Sequence, residues 1–322
     1  VRLAIIIINF RTPQYTLDCL ASLVPERADL PGLQVVLIEN ASGDDSEPRL
    51  RAGLAEHGWS DWVTFLPQEK NLGFAGGNNA GFRHVLAQPD APDFILLLNS
   101  DTLVHRGCLK TALARIQAEP DIGVLSCMLR NRDGSVQNVC RRFPSPGRET
   151  VRALGLPYVF RGAFEWAELE DGSWNRETTA RDVEWVGGAF MLMRTETVRQ
   201  LGGLDESFFF YGEDIEFCHR MGRHGLRVFF DPAGSITHFG GGSSDPTRLA
   251  DRRKEILIWK ARFHVQRQCY GAWAAAWIRF LYITVFTAKV VFLFLTGRRG
   301  SPRFRGALSG WTVLTRPLEI PR

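Results

Sequence analysis

Four short apolar runs, each cut off by polar residues, constrain the fold more than any other feature of this chain. Ala4–Ile8 is an unbroken β-branched run, and Val35–Ile38, Val63–Leu66 and Phe94–Leu98 follow with room for a helix between each pair. A strand that is apolar at nearly every position is buried on both faces, the condition of a parallel sheet covered by helices. Strands alternating with helices predict an α/β fold whose first half is a mostly parallel, Rossmann-like nucleotide-binding sheet. In an open sheet of this kind the ligand sits beyond the carboxyl ends of the strands.

The spacing places a helix from Pro13 to about Leu23, since proline favours the first helical turn. Gly73–Gly77 reads as a Gly-rich turn, with a helix following from Asn78 to about Leu86. A helix near Gly107–Ala118 and a strand near Val124–Cys127 come next. Residues 129–183, rich in Arg, Gly, Pro and acid, read as loops and short strands. Beyond them, Ala189–Met193 and Leu226–Phe230 read as strands and Asp214–Arg223 as a helix.

Three polar signals fall where such a sheet would place its site. The LLLNSD segment ends on Asp101 directly after an apolar strand. FFFYGEDIEF puts Glu213 and Asp214 at the start of a helix, where the helix dipole favours a negative charge. His238 follows in SITHFGGGS. An acid ending one strand and a distant histidine can together hold a divalent metal, and a second acid, free of the metal, can act as a base. That combination suits group transfer from an activated phosphate ester. Read structurally, Asp101 would cap the next helix, His238 would be a core histidine, and the Glu213–Asp214 pair would cap its own helix.

The segments IIIINFRTPQYTLDCLASL, IENAS (38–42), NLGFAGGNNAGF (71–82), LLLNSDT and GGLDESFFFYGEDIEFCHR (202–220) occur in one order. Together they resemble the family 2 inverting glycosyltransferases with the A-type nucleotide-sugar fold. RRFPSP (141–146) and EWVGGAFMLMR (184–194) make the chain most similar to the bacterial rhamnosyltransferases within that family. The resemblance spans roughly residues 3–245. It implies Mg²⁺ or Mn²⁺ held by Asp101 and His238, because a hard cation stabilises the leaving diphosphate. It implies Asp214 as the general base that takes the acceptor hydroxyl proton, with Glu213 as orienting group or competitor. Donor contacts are expected from Asn9, Phe10, Arg11, Glu39, Asn40, Asn71, Gly73, Asn99 and Asp101. Two positions depart from the family pattern: Glu39 stands where relatives usually carry Asp, and Asn99 where many carry another acid. On the acceptor side, Trp185, Gly187 and Gly188 would shape the pocket. Arg141 and Arg142 would clamp a diphosphate, or else form a solvated basic loop. The GGGSSDP stretch after His238 is expected to close over the donor.

The charge is uneven. Residues 248–322 hold 15 Lys/Arg against 3 Asp/Glu, whereas the whole chain is only +4. Within this tail, residues 272–296 carry only Arg279 and Lys289 as charges and are long enough to span a bilayer. Basic clusters flank both ends, which resists placing either outside. A helix or bent helix pair lying in the cytoplasmic leaflet is therefore favoured over a span or a buried soluble helix. The apolar run suits an anionic membrane surface better than nucleic acid, and the sequence carries no nucleic-acid motif. The six cysteines form no CxxC pair and read as free thiols of a reducing cytoplasm. VRLAIIIINF reads as a first strand, not a signal peptide.

These readings combine into a catalytic domain at 1–247, with a nucleotide-sugar half (1–128) and an acceptor half (129–247), and a basic helical tail at 248–322. The expected activity is transfer of L-rhamnose from dTDP-L-rhamnose to a polyprenyl-diphosphate-linked glycan on the cytoplasmic face of the inner membrane, as in O-antigen or cell-wall assembly. A non-catalytic nucleotide-sugar sensor or scaffold is the alternative, supported by Glu39 and Asn99 alone.

Overall fold

The computed structural model describes residues 1–160, 162–170, 179–240 and 251–315, with backbone alone for 251–254. In chain order the elements are β1 (Leu3–Asn9), α1 (Pro13–Asp29), β2 (Leu33–Glu39), α2 (Ser46–Glu56), β3 (Val63–Pro67), α3 (Gly73–Leu86), β4 (Phe94–Asn99), β5 (Thr102–Val104), α4 (Cys108–Ala118), β6 (Ile122–Arg130), β7 (Cys140–Arg141), α5 (Pro146–Ala153) and α6 (Leu156–Val159). Then come β8 (Arg181–Val183), β9 (Trp185–Val186), β10 (Phe190–Arg194), α7 (Thr195–Leu201), α8 (Glu213–Arg223), β11 (Arg227–His238), α9 (Asp251–Tyr270), α10 (Ala272–Leu295) and α11 (Pro302–Thr315).

The described residues fall into two compact units, one from Val1–Arg142 and Glu170–Asp245, the other from Phe143–Leu169 and Pro246–Arg322. The first is built on one sheet in the order β3-β2-β1-β4-β10-β6-β11-β5, with β8 beside β11. Strands β3, β2, β1 and β4 run parallel, as their apolar runs predict. Strand β10 runs antiparallel between β4 and β6. Ile5, Ile6, Ile7, Val35, Leu37, Ile95 and Leu96 have essentially no solvent exposure. The register aligns Asn9 with Glu39, and Asn99 with Ile8. The polar ends of three strands therefore reach one edge together.

Three elements differ from the sequence expectation. The Gly73–Gly77 stretch is the first turn of α3, not a turn before it. Glycine is a poor helix former, but side-chain-free faces are required here: a Cβ on Gly77 would press on Ile8, and one on Gly81 on Ile6. Tertiary packing of α3 on β1 overrides propensity. Strand β11 runs on to His238, well past Phe230, because a register shift between Asp231 and Ser235 bends it so that its far half pairs with β5. The stretch 129–183 contains helices α5 and α6, which belong to the second unit.

In that second unit α10 packs against α9 and α11 through Ile256, Trp259, Ile278, Tyr282, Val313 and Leu314. Arg279 donates to Leu314 O (3.1 Å) and Trp311 Nε1 to Thr287 Oγ1 (3.0 Å), so α11 runs back along α10. Buried Glu149 of α5 accepts from the Tyr282 hydroxyl at 2.7 Å. Helix α10 is long and apolar enough to cross a membrane.

Because Ile5 is sealed between β2 and β4, Ile5→Ala is expected to cost about 2–5 kcal/mol of stability. Urea unfolding followed by circular dichroism measures it.

Candidate active site

The loops leaving β1 and β2 are tied to each other before they meet any ligand. Asn9 is fully buried; its Oδ1 accepts from Thr16 Oγ1 (2.9 Å) and its Nδ2 donates to Ser42 Oγ (3.3 Å). Ser42 Oγ also accepts from the Arg11 N–H (2.9 Å), and Arg11 Nε donates to Ser42 O (2.8 Å). Glu39 is buried and uses Oε1 to accept from the Ser42 N–H at 3.0 Å. The Arg11 guanidinium lies over the half-buried Phe10 ring.

A second knot joins β2 to α3. Asn40 Nδ2 donates to Asn71 Oδ1 (3.2 Å) and Gly73 O (3.1 Å), while its Oδ1 accepts from the Leu72 N–H (3.0 Å). Gly73 has φ +71°, and a Cβ there would fall on Phe209 O, the atom that accepts from the Phe74 N–H at 3.0 Å. Only glycine allows this approach between the loop entering α3 and the segment before α8. The three non-glycine residues with positive φ among those described, Arg11, Ala41 and Tyr211, all lie in these loops. Such conformations cost about 1–3 kcal/mol each and persist where surrounding contacts enforce them, commonly at functional sites.

Asp101 and His238 meet across the sheet. Strand β5 pairs antiparallel with the end of β11, opposing Thr102 to His238, and the Phe239 N–H donates to Asp101 O at 2.9 Å. His238 Nε2 stands 3.3 Å from Asp101 Oδ1 and 3.4 Å from Asn99 Nδ2. Two neighbouring ligands of one divalent cation, each at roughly 2.1 Å, stand about 3 Å apart, so this pair has the spacing of a shared cation. Among the described residues, no group of three or more His, Cys, Asp or Glu side chains could hold a metal. A two-residue protein set fits a cation whose remaining ligands are substrate phosphates and water. When bound, the cation would neutralise charge on a leaving diphosphate.

Glu213 and Asp214 open α8 behind Gly212, whose φ is +95°. Burial, then the neighbouring Asp214 charge, pushes the Glu213 carboxyl up to about 8. Its Oε2 has no hydrogen-bond partner among the described residues. Burial raises Asp214 as well, but the Ile215 N–H (2.8 Å to Oδ1), the Arg141 charge and the Gly188 N–H pull it back. Both carboxyls of this buried pair are raised, and Asp214 is the one whose surroundings favour the charged form.

The acceptor-side residues form a small second sheet. β7 pairs antiparallel with β9, setting Arg141 opposite Trp185. Trp185 is buried, donates Nε1–H to Arg142 O (2.9 Å), and has the Arg141 guanidinium over its ring. Its face is covered by Arg141 and does not stand open to a sugar. Arg141 also pairs with Glu170 at 3.2 Å. Gly187 faces open space, while a Cβ on Gly188 would crowd the Phe74 ring. Ala189 O accepts from the Asn99 N–H at 3.1 Å, which brings the Gly187–Gly188 loop, and with it Asp214, to the edge that carries Asp101. Beyond Gly240 the GGGSSDP stretch lies outside the described residues.

Ser42 and Gln137 are site residues that the sequence reading did not single out. Ser42 stands in the quoted IENAS segment. Gln137 follows NRDGS, a turn sequence whose hairpin returns it to His238.

Residues 2–260 match the glycosyltransferase like family 2, and the chain belongs to that family. It is a glycosyltransferase. Relatives include the N-acetylglucosaminyl-diphospho-decaprenol L-rhamnosyltransferase of Mycobacterium tuberculosis, 28% identical over 63% of this chain and 68% of that protein. Another is the rhamnosyltransferase WbbL of Escherichia coli, 26% identical over 52% of this chain and 61% of that protein. The fold is shared with the mannosyltransferase PcManGT of Pyrobaculum calidifontis, solved with GDP-Man and Mn²⁺ (TM-score 0.57, 16% identity, 97% of this chain and 84% of that chain). It is also shared with GalNAc-T7, solved with UDP, GalNAc and Mn²⁺ (TM-score 0.53, 16% identity, 74% and 44%). This is the A-type glycosyltransferase fold that the motifs imply.

Two measurements check the geometry. Gly73→Ala is expected to lose about 1–3 kcal/mol in urea unfolding, whereas Gly187→Ala stays within about 0.5 kcal/mol. Glu213 binds its proton more tightly folded than unfolded, so its contribution to stability is present at acid pH and is lost as pH rises. The loss runs from roughly 4.3, the ordinary glutamate value, to about 8. Glu213→Gln should flatten that decline in a stability–pH series.

Proposed function

We propose that this glycosyltransferase moves L-rhamnose from dTDP-L-rhamnose to a polyprenyl-diphosphate-linked glycan, with inversion, by a single displacement that uses a divalent cation. The observation that carries the reading is the convergence at one sheet edge of the Asp101–His238 pair and Asp214. One supplies a cation platform for a leaving diphosphate, and the other a base. The sugar and acceptor classes rest on similarity to the M. tuberculosis enzyme, whose name specifies an L-rhamnosyl transfer and a decaprenyl-diphosphate acceptor.

In this mechanism Asp101 and His238 would hold Mg²⁺ or Mn²⁺, whose charge would stabilise the leaving donor diphosphate. Asn9, Glu39 and Asn40 act from beneath: they hold the loops carrying Phe10, Arg11, Asn71 and Gly73, which face the nucleotide with Asn99. Asp214 takes the proton of the attacking hydroxyl. Glu213, protonated beside it, adds no second negative charge. Arg141, braced on Trp185, tunes Asp214 and joins Arg142 in holding the acceptor diphosphate, with Gly187 and Gly188 leaving room for the acceptor sugar.

The second unit would deliver the acceptor by lying on the membrane. Trp273, Trp277, Phe280, Phe292 and Leu295 of α10 are exposed, and Arg298, Arg299, Arg303 and Arg305 stand exposed beyond its C-terminal end. A surface-lying position is favoured over a span because the other face of α10 is covered by α9 and α11. Helix α9 carries Lys260, Arg262 and Arg267, and immersing these charges in hydrocarbon is costly. Anionic lipid at the cytoplasmic face of the inner membrane fits this surface.

Release of dTDP, measured with Mn²⁺ and polyprenyl-diphosphate-GlcNAc over a panel of nucleotide sugars, tests the chemistry. Acceptor-dependent release from dTDP-L-rhamnose is expected, falling about 10²–10⁴-fold in Asp214→Asn. Full activity of that variant overturns the base assignment, and binding without turnover on any acceptor overturns the reaction. Flotation with phosphatidylglycerol vesicles, weakened by salt and by Trp273→Ser with Trp277→Ser, tests the surface.

A further inference from the structure

The hydrogen bonds behind His238 have a direction. Asp133 ends the series as an acceptor: its Oδ1 takes the Ser135 hydroxyl proton (2.6 Å) and the Ser135 N–H (2.9 Å), in a turn where Gly134 has φ +83°. The Ser135 oxygen is thereby left to accept from Asn131 Nδ2 at 2.8 Å. That fixes the Asn131 amide, whose Oδ1 accepts from Gln137 Nε2 at 2.6 Å. Gln137 Nε2 gives its other hydrogen to the backbone oxygen of His238, again at 2.6 Å. Both amide hydrogens of Gln137 are now committed, so Oε1 is the atom that meets His238 Nδ1 at 2.8 Å. An amide oxygen can only accept, so Nδ1 carries a hydrogen.

We propose that Gln137, held by the Asp133–Ser135–Asn131 turn, is a positioning residue that keeps a proton on His238 Nδ1 and so reserves Nε2, the nitrogen facing Asp101, for a divalent cation. This rests on reading Asp101 and His238 as the cation pair. The ring nitrogen that binds a metal is set by the partner of the other nitrogen. Here that partner anchors the ring twice, through Nδ1 and through the backbone of the same residue. Asn99 supports the arrangement. Its Nδ2 lies 3.4 Å from Nε2 as a donor, whereas a carboxylate in that place would be another acceptor drawing the proton toward Nε2.

The test is ¹⁵N NMR of the full chain without metal, above about pH 8, where an ordinary imidazole is neutral. The His238 signals are identified by their loss in His238→Gln. Wild type is expected to show Nδ1 protonated and Nε2 bare. Gln137→Leu should lose that preference, whereas Gln137→Glu, which keeps an acceptor, should retain it. Titration of Mn²⁺ alone, with free ion read by electron paramagnetic resonance, should weaken roughly 10–100-fold in Gln137→Leu and only a few-fold in Gln137→Glu. A proton on Nε2 in wild type, or an unchanged tautomer in Gln137→Leu, overturns the proposal. The expected tautomer in a wild-type protein that binds no Mn²⁺ upholds the role of Gln137 on the ring and overturns the cation reading instead.

Discussion

The parallel pairing of β1 with both β2 and β4 is the constraint on which the rest of the first unit depends. Each of these strands is apolar over nearly all its length, Gln34 of β2 excepted, and stops on a polar residue. Parallel register therefore brings Asn9, Glu39 and Asn99 to one edge without any further instruction. The cost of ending β1 and β2 on the buried polar groups Asn9 and Glu39 is offset locally. Asn9, Glu39 and Asn40 all satisfy one another's loops through Ser42, Thr16 and Gly73. The loops leaving β1 and β2 are thereby tied to each other and to the start of α3.

At that edge the antiparallel insertions supply what parallel strands cannot. Strand β10 enters beside β4 and carries the Gly187–Gly188 loop to the same edge. The far half of β11 crosses to β5 and delivers His238 to Asp101. The two acids of α8 differ in environment: Glu213 is buried without a partner for Oε2 among the described residues, and Asp214 is served by two N–H groups and an arginine.

The alternation of buried runs made the parallel half of the sheet legible, and the strand-end acid, the helix-opening acids and the lone histidine were visible as candidates. The limits of α3 and β11 were not. A Gly-rich segment has low helix propensity, and its helical state is decided by the need for small residues against Ile6 and Ile8. The continuation of β11 depends on a register shift that no local pattern announces. Trp185 was expected to shape the acceptor pocket; whether its ring face is open depends on Arg141, which a different strand places over it.

The sequence by itself determined the class of fold, the order of elements in its parallel half, and the family to which the chain belongs, because hydrophobic periodicity and an ordered set of motifs are local properties. It also marked the tail as a separate basic, apolar piece. Only the tertiary structure decided which groups meet. The 3.3 Å approach of His238 to Asp101, the hold of Gln137 on the far side of that ring and the covering of one face of α10 by α9 and α11 are all long-range. Each joins residues far apart in the chain, and such pairings are set by sheet register and helix packing, which no single segment encodes.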